Sequence, residues 1–133
     1  MKKIRSSKKG FTLAELLIVV AIIGVLVGIS IPIFSAQLRK SRVATDQANA
    51  RAAKAAFTAY YLDDDNKLTD VIYYDAEAGK AAKDTPTNGY GETSDAKQAE
   101  GIPGVTANQD LTDCYVKGTY NATDDKVELS WVS

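Results

Sequence analysis

The sequence predicts an α+β protein: a long N-terminal helix, half of membrane type and half amphipathic, packed on a small C-terminal antiparallel sheet. The run Leu16–Leu38 carries no charge, and about 20 apolar residues suffice for a helix to cross a bilayer. Residues 39–62 continue without a break signal. There Ala44, Ala48, Ala52, Ala55, Ala59 and Leu62 recur at steps of three and four, which places them on one helical face. Near the C-terminus Val127, Leu129 and Trp131 alternate with Glu128, Ser130 and Val132, the period of a half-buried strand.

At 133 residues the chain has room for one modest domain. Its formal net charge of −1 hides a strong asymmetry. Residues 1–10 hold Lys2, Lys3, Arg5, Lys8 and Lys9 and no acid. A basic collar of Arg39, Lys40 and Arg42 follows the apolar run, and from Asp63 onward 15 acids face six lysines. An acidic head argues against nucleic-acid binding. There is no histidine, and Cys114 is the only cysteine. Zinc sites and histidine-based catalysis lack their usual parts, and no intrachain disulfide can form.

In chain order, residues 1–10 read as a basic leader and residues 11–38 as the membrane segment. The excess of positive charge before the run places the N-terminus in the cytoplasm and the remainder outside. Gly24, Gly28 and Pro32 interrupt the run at intervals of four. Pro32 lacks a backbone donor and crowds the carbonyl four residues back, so a break or kink is expected between Gly24 and Pro32. Two readings stand: glycine and proline are simply commoner in membrane helices, or this stretch must bend or unwind. Residues 39–62 carry the helix onward, with the alanine face expected to cover the sheet and Asp46, Arg51, Lys54 and Thr58 pointing elsewhere. Asp63-Asp64-Asp65-Asn66 ends the helix. Residues 63–133 form the head. Val71–Tyr74 is a short strand, residues 75–110 a long loop rich in turn formers, and Cys114–Tyr120 and Lys126–Val132 a hairpin joined by residues 121–125.

Glu15 is the one acid at the start of this apolar helix. A lone carboxylate buried in lipid or among apolar helices is costly unless paired. A headgroup-level position is one account of it. The other is a cation supplied by another chain.

The stretch Gly10-Phe11-Thr12-Leu13-Ala14-Glu15-Leu16-Leu17-Ile18-Val19-Val20-Ala21-Ile22-Ile23-Gly24 resembles the processing and assembly signal of type IV prepilins. The resemblance covers residues 8–34, with the basic leader ending at Gly10, an aromatic residue next, Glu15 five positions into the mature chain, and Pro32 as the helix-breaking proline. It implies cleavage between Gly10 and Phe11 by a membrane-embedded prepilin peptidase and N-methylation of Phe11. It also implies polymerisation of the mature chain, with other copies of itself and the pilus assembly machinery as partners and membrane lipid around the precursor. Cleavage creates an α-amino group at Phe11, cationic at neutral pH. Between chains staggered along the axis, Glu15 of one then neutralises Phe11 of the next. The expected product is a structural subunit of an extracellular filament, not an enzyme, with no cofactor, no metal and no nucleic acid.

Other readings stay in view. Gly28-Ile29-Ser30 fits a secretory cleavage site, which would leave Ile31 at the N-terminus, although Glu15 is out of place in a signal peptide. A signal-anchored protein with an outer binding or enzymatic domain would have to use Asp63–Asp65 or Asp124–Asp125, which lack the glycine and distal glutamate of a calcium loop. A pseudopilin of a type II secretion system and a competence pilin share the same N-terminal pattern. Cys114 reads as a small buried residue. Asn121-Ala122-Thr123 reads as turn chemistry. Tyr90, between two glycines, reads as a surface residue.

Overall fold

The computed structural model describes residues 10–64 and 67–133. The basic residues of the leader, within 1–9, and Asp65-Asn66 of the acidic turn lie outside the described residues. The elements are α1 (Leu13–Asp63), β1 (Ile72–Asp75), β2 (Lys80–Ala82), α2 (Ala96–Ala99), β3 (Tyr115–Asn121) and β4 (Lys126–Val132). The chain forms two compact units, the first ending at Gln37 and the second running from Leu38 to Ser133.

The first unit holds the N-terminal part of α1. Its most apolar 18-residue window has a mean hydropathy of 3.0 and is 0% buried. By length and composition this helix can cross a membrane. It stays helical through Gly24, Gly28 and Pro32. A proline removes one rung of the ladder, between residues 28 and 32, and the turns on either side keep theirs. Two serines bond back along the helix here: Ser30 Oγ donates to the Leu26 carbonyl at 2.7 Å and Ser35 Oγ to the Ile31 carbonyl at 3.0 Å.

The second unit is a four-stranded, wholly antiparallel sheet of order β2-β1-β3-β4, with the later part of α1 laid on one face. The helical residues buried there are Asp46, Ala50, Ala53, Phe57 and Tyr61. Ala44, Ala48, Ala52, Ala55, Ala59 and Leu62 are all exposed, so the expectation that the alanine face covers the sheet is overturned. Bulk decides between the two stripes. Phe57 and Tyr61 fill the space over the sheet as alanines cannot, and their burial contributes about 2–3 kcal/mol each. Gly118 in β3 makes the contact possible. A Cβ there would lie 2.4 Å from the Phe57 ring, so the ring rests on bare backbone. Ile72, Tyr74, Val116 and Trp131 complete the sheet's contribution to the core.

β4 has the bounds the alternation predicts, while β1 and β3 each begin one residue later than expected. Its pairing with β3 runs from Tyr115↔Val132 to Asn121↔Lys126. The turn between them is closed by Asn121, whose Oδ1 accepts from the Thr123 N–H at 3.0 Å. The long loop of 75–110 is more structured than its glycines and prolines suggest. It contains β2, paired with β1 from Tyr73↔Ala82 to Asp75↔Lys80, and the single turn α2, capped by Asp95. Ala99, Ile102 and Leu111 of this excursion enter the core alongside Cys114. Tyr90 is not a free surface residue either. Its hydroxyl accepts from the Val116 N–H at 2.8 Å and its ring meets Tyr74 and Trp131 edge-on.

Candidate functional site

The sequence places the candidate site at the head of α1. Gly10 and Phe11 are exposed and non-helical, with Phe11 at 90% exposure. Helix α1 opens with a reciprocal cap. The Glu15 N–H donates to Thr12 Oγ1 at 3.2 Å, and the Thr12 N–H donates to Glu15 Oε2 at 3.3 Å. This is the capping box, in which a hydroxyl and a carboxylate three residues apart satisfy each other's orphan donors. Glu15 also lies in the first turn, where the helix dipole favours negative charge. The sequence reading missed this role, although Thr-x-x-Glu before an apolar run is its signature. The cap uses Oε2.

Gly10 and Phe11 thus lie just before α1 and Glu15 in its first turn. Gly24 and Pro32 lie further along the same helix, exposed, and take no part in the cap. A side chain added at Gly10, Gly24 or Gly28 would meet nothing within 4 Å. Leu16, Leu17, Ile18, Val19 and Val20 behind the cap are 51–61% exposed, an uncovered apolar surface of the kind that marks membrane or protein contact.

In the head, a second feature escaped the sequence. Asp46 is 0% exposed and bridges α1 to the excursion. Its carboxylate accepts the Glu92 N–H at 3.0 and 3.1 Å and the Thr93 N–H at 2.8 Å. Backbone donors satisfy this buried charge in place of a cation. Beside it the buried Thr93 Oγ1 has no partner among the described residues. At the far end of α1, Tyr61 donates to the Asp70 carbonyl at 2.6 Å, and Tyr60 donates to Asp70 Oδ2 at 2.8 Å. Lys83 pairs with the same carboxylate at 2.9 Å. The Lys83 bond, then the Tyr60 bond, holds the Asp70 carboxyl below its ordinary range. Burial pushes the Tyr61 hydroxyl from 10.0 to about 12 and drives Tyr90 and the Cys114 thiol upward. These groups tie the head together. Among the described residues no three His, Cys, Asp or Glu side chains gather where they could hold a metal ion.

A charge-free helix of membrane length, opened by a capping glutamate behind Gly-Phe and leading into an α+β head, is the layout that the prepilin resemblance implies. Over its N-terminal part the chain is similar to type IV pilins. Residues 5–31 match the family model described as the prokaryotic N-terminal methylation motif. The chain is 39% identical to the type IV major pilin protein PilE1 of Neisseria gonorrhoeae over 56 residues, 42% of this chain and 34% of that protein. It is 41% identical to the type IV major fimbrial protein FimA of Dichelobacter nodosus over 59 residues, 44% of this chain and 38% of the relative. With the fimbrial protein EcpC of Eikenella corrodens the identity is 38% over 60 residues, 45% and 39% of the two chains. The match therefore spans little more than a third of these relatives' length. No solved structure matches the chain.

Proposed function

We propose that this chain is the precursor of a structural subunit of a type IV pilus or pilus-like filament. The observation that carries the proposal is the uncovered apolar helix behind Gly10-Phe11, with Glu15 as its sole acid. Residues 1–10 are the cytoplasmic leader, removed by prepilin peptidase between Gly10 and Phe11, and Phe11 is N-methylated. Residues 11–38 hold the precursor in the membrane as a single pass and then form the filament core. Residues 39–62 continue that helix and residues 63–133 form the head carried outside.

Glu15 gives the filament its register. The cap engages one carboxylate oxygen, and the other accepts the Phe11 amine of a neighbouring copy. A buried carboxylate is tolerated when a hydrogen-bonded cation meets it. The apolar side chains supply the bulk of the adhesion once lipid is left behind. The stretch Gly24–Pro32 is the weak point of the helix, where one missing rung lets the backbone bend or unwind as copies pack. The exposed alanines from Ala44 to Ala59 let neighbouring helices approach closely. Arg39, Lys40 and Arg42 hold the precursor's collar against anionic lipid.

The test is the N-terminus of the mature protein. Sequencing and intact mass are expected to give Phe11 carrying one methyl group. A mature chain beginning at Met1 or at Ile31 would overturn the reading, as would cells that make the protein and export no filament containing it.

A further inference from the structure

Two cavities flank α1 on the side of β4. One, of 420 Å³, is lined by Lys54, Thr58, Tyr61, Lys126 and Val127, with Asp125 at its rim. The other, of 350 Å³, is lined by Ala50, Arg51, Lys54, Gly104, Val127 and Leu129. Lys54 and Val127 belong to both, so the two form one groove. Its lining mixes Ala50, Val127 and Leu129 with Thr58 and Tyr61, and the Arg51, Lys54 and Lys126 that also line it are exposed. None of these three forms an ion pair among the described residues, where the pairs are Lys67–Asp63 and Lys83–Asp70. Asp125, the acid at the rim, already accepts from the Tyr120 hydroxyl. β4 is an edge strand. The excursion closes its C-terminal end, with the Trp131 N–H donating to the Gly104 carbonyl and Gln109 Nε2 to the Trp131 carbonyl.

We propose that this groove is an interface for a second copy of the chain and seats that copy's acidic segment 92–113. The proposal rests on the filament reading above. Charge complementarity selects the occupant. Segment 92–113 carries Glu92, Asp95, Glu100, Asp110 and Asp113, all exposed, against Lys97 alone. A nucleic acid is disfavoured, because the head that would surround it carries 15 acids against six lysines from Asp63 onward. Within one copy the two surfaces do not pair. The segment meets its own copy's groove at Pro103 and Gly104, and none of its five acids is among the lining residues. A second copy displaced along α1 brings its acids to the groove. The contact joins two different patches, so it propagates along a filament and does not close into a dimer. Exposed ion pairs are weak singly and screened by salt. Covering them with a second copy lowers the local dielectric and strengthens them.

The experiment uses filaments grown from a mixture of isotopically light and heavy full-length protein. They are treated with a zero-length carbodiimide, which joins only amines and carboxylates already in contact, and then digested for mass spectrometry. Mixed light–heavy peptides linking Lys54 or Lys126 to an acid of segment 92–113 are expected. The double variant Lys54→Glu, Lys126→Glu should lower the yield of filaments surviving 0.5 M salt by about tenfold. Adding Glu100→Lys and Asp110→Lys to it should restore that yield. Mixed links that form elsewhere but never at Lys54 or Lys126, or a double variant with unchanged filaments, would overturn the groove and leave the filament reading standing. Absence of filaments from the unaltered protein would overturn both.

Discussion

Thr12 and Glu15 satisfy each other's backbone before any second copy arrives, so the acid has a role inside the single chain besides the one proposed between chains. The two roles separate by substitution. Glutamine keeps the capping box and loses the charge. Glu15→Val loses both, and Thr12→Ala loses the cap alone, at a cost of about 1 kcal/mol. Normal cleavage is expected in all three. Filament yield by electron microscopy should collapse in Glu15→Val and Glu15→Gln and persist in Thr12→Ala. Filaments from Glu15→Gln would show that capping, not pairing, is what the acid supplies. Asp46 poses a simpler question. Asp46→Ala leaves the Glu92 and Thr93 N–H groups without their acceptor and should lower stability by about 3 kcal/mol in urea melts, a large share of a typical margin. Asp84→Ala, at an exposed site, should stay within about 0.5 kcal/mol. Tyr61 gives a dependence on alkali. Its value in the fold lies above the ordinary 10.0, at about 12. Its contribution is therefore complete below about pH 10 and lost as pH rises through about 12. The melting temperature should fall across that window, and less steeply in Tyr61→Phe, which has no proton to lose.

Among the elements, α1 shows what periodicity can and cannot say. Two stripes in residues 43–62 have helical spacing. One is uniformly small and apolar. The other mixes Ala50, Ala53, Phe57 and Tyr61 with a charged Asp46. The sequence reading favoured the uniform stripe, and the structure buries the mixed one. Spacing identifies a face, whereas side-chain volume and the opposing surface decide whether it is buried. The opposing surface here includes Gly118, 61 residues beyond Phe57 in sequence, so no local window reveals the match. Gly118→Ala drives a methyl group into the Phe57 ring. It should destabilise the head by about 1–3 kcal/mol, read as a lowered urea midpoint with an unchanged slope. β4 was legible to the residue because one of its faces is wet and the other packed, which writes the alternation into the sequence. β2 and α2 were not. They are three and four residues long, too short to show a period among glycines and prolines. The proposed N-terminal site, Gly10, Phe11 and Glu15, is contiguous and so shows as a motif. The cap is equally local, but Thr12 and Glu15 also belong to that longer motif, which masks their own chemistry.

For the whole molecule, the proposed order of events makes a prediction at the leader. Gly10→Leu should stop processing and leave full-length precursor in the membrane fraction on an immunoblot. Neither the cap nor the core of the head involves Gly10, so the precursor should still fold. Processed protein in this variant would contradict cleavage at the Gly10–Phe11 bond. One consequence of the Asp46 bridge concerns change over time. The carboxylate holds the excursion by its main-chain N–H groups, which every residue except proline carries. At Glu92 it reads only that a peptide is present, because the side chain there points to solvent. The head can therefore exchange much of its outward lettering while the fastening stays the same: an anchor that ignores spelling leaves the outer text free to be rewritten.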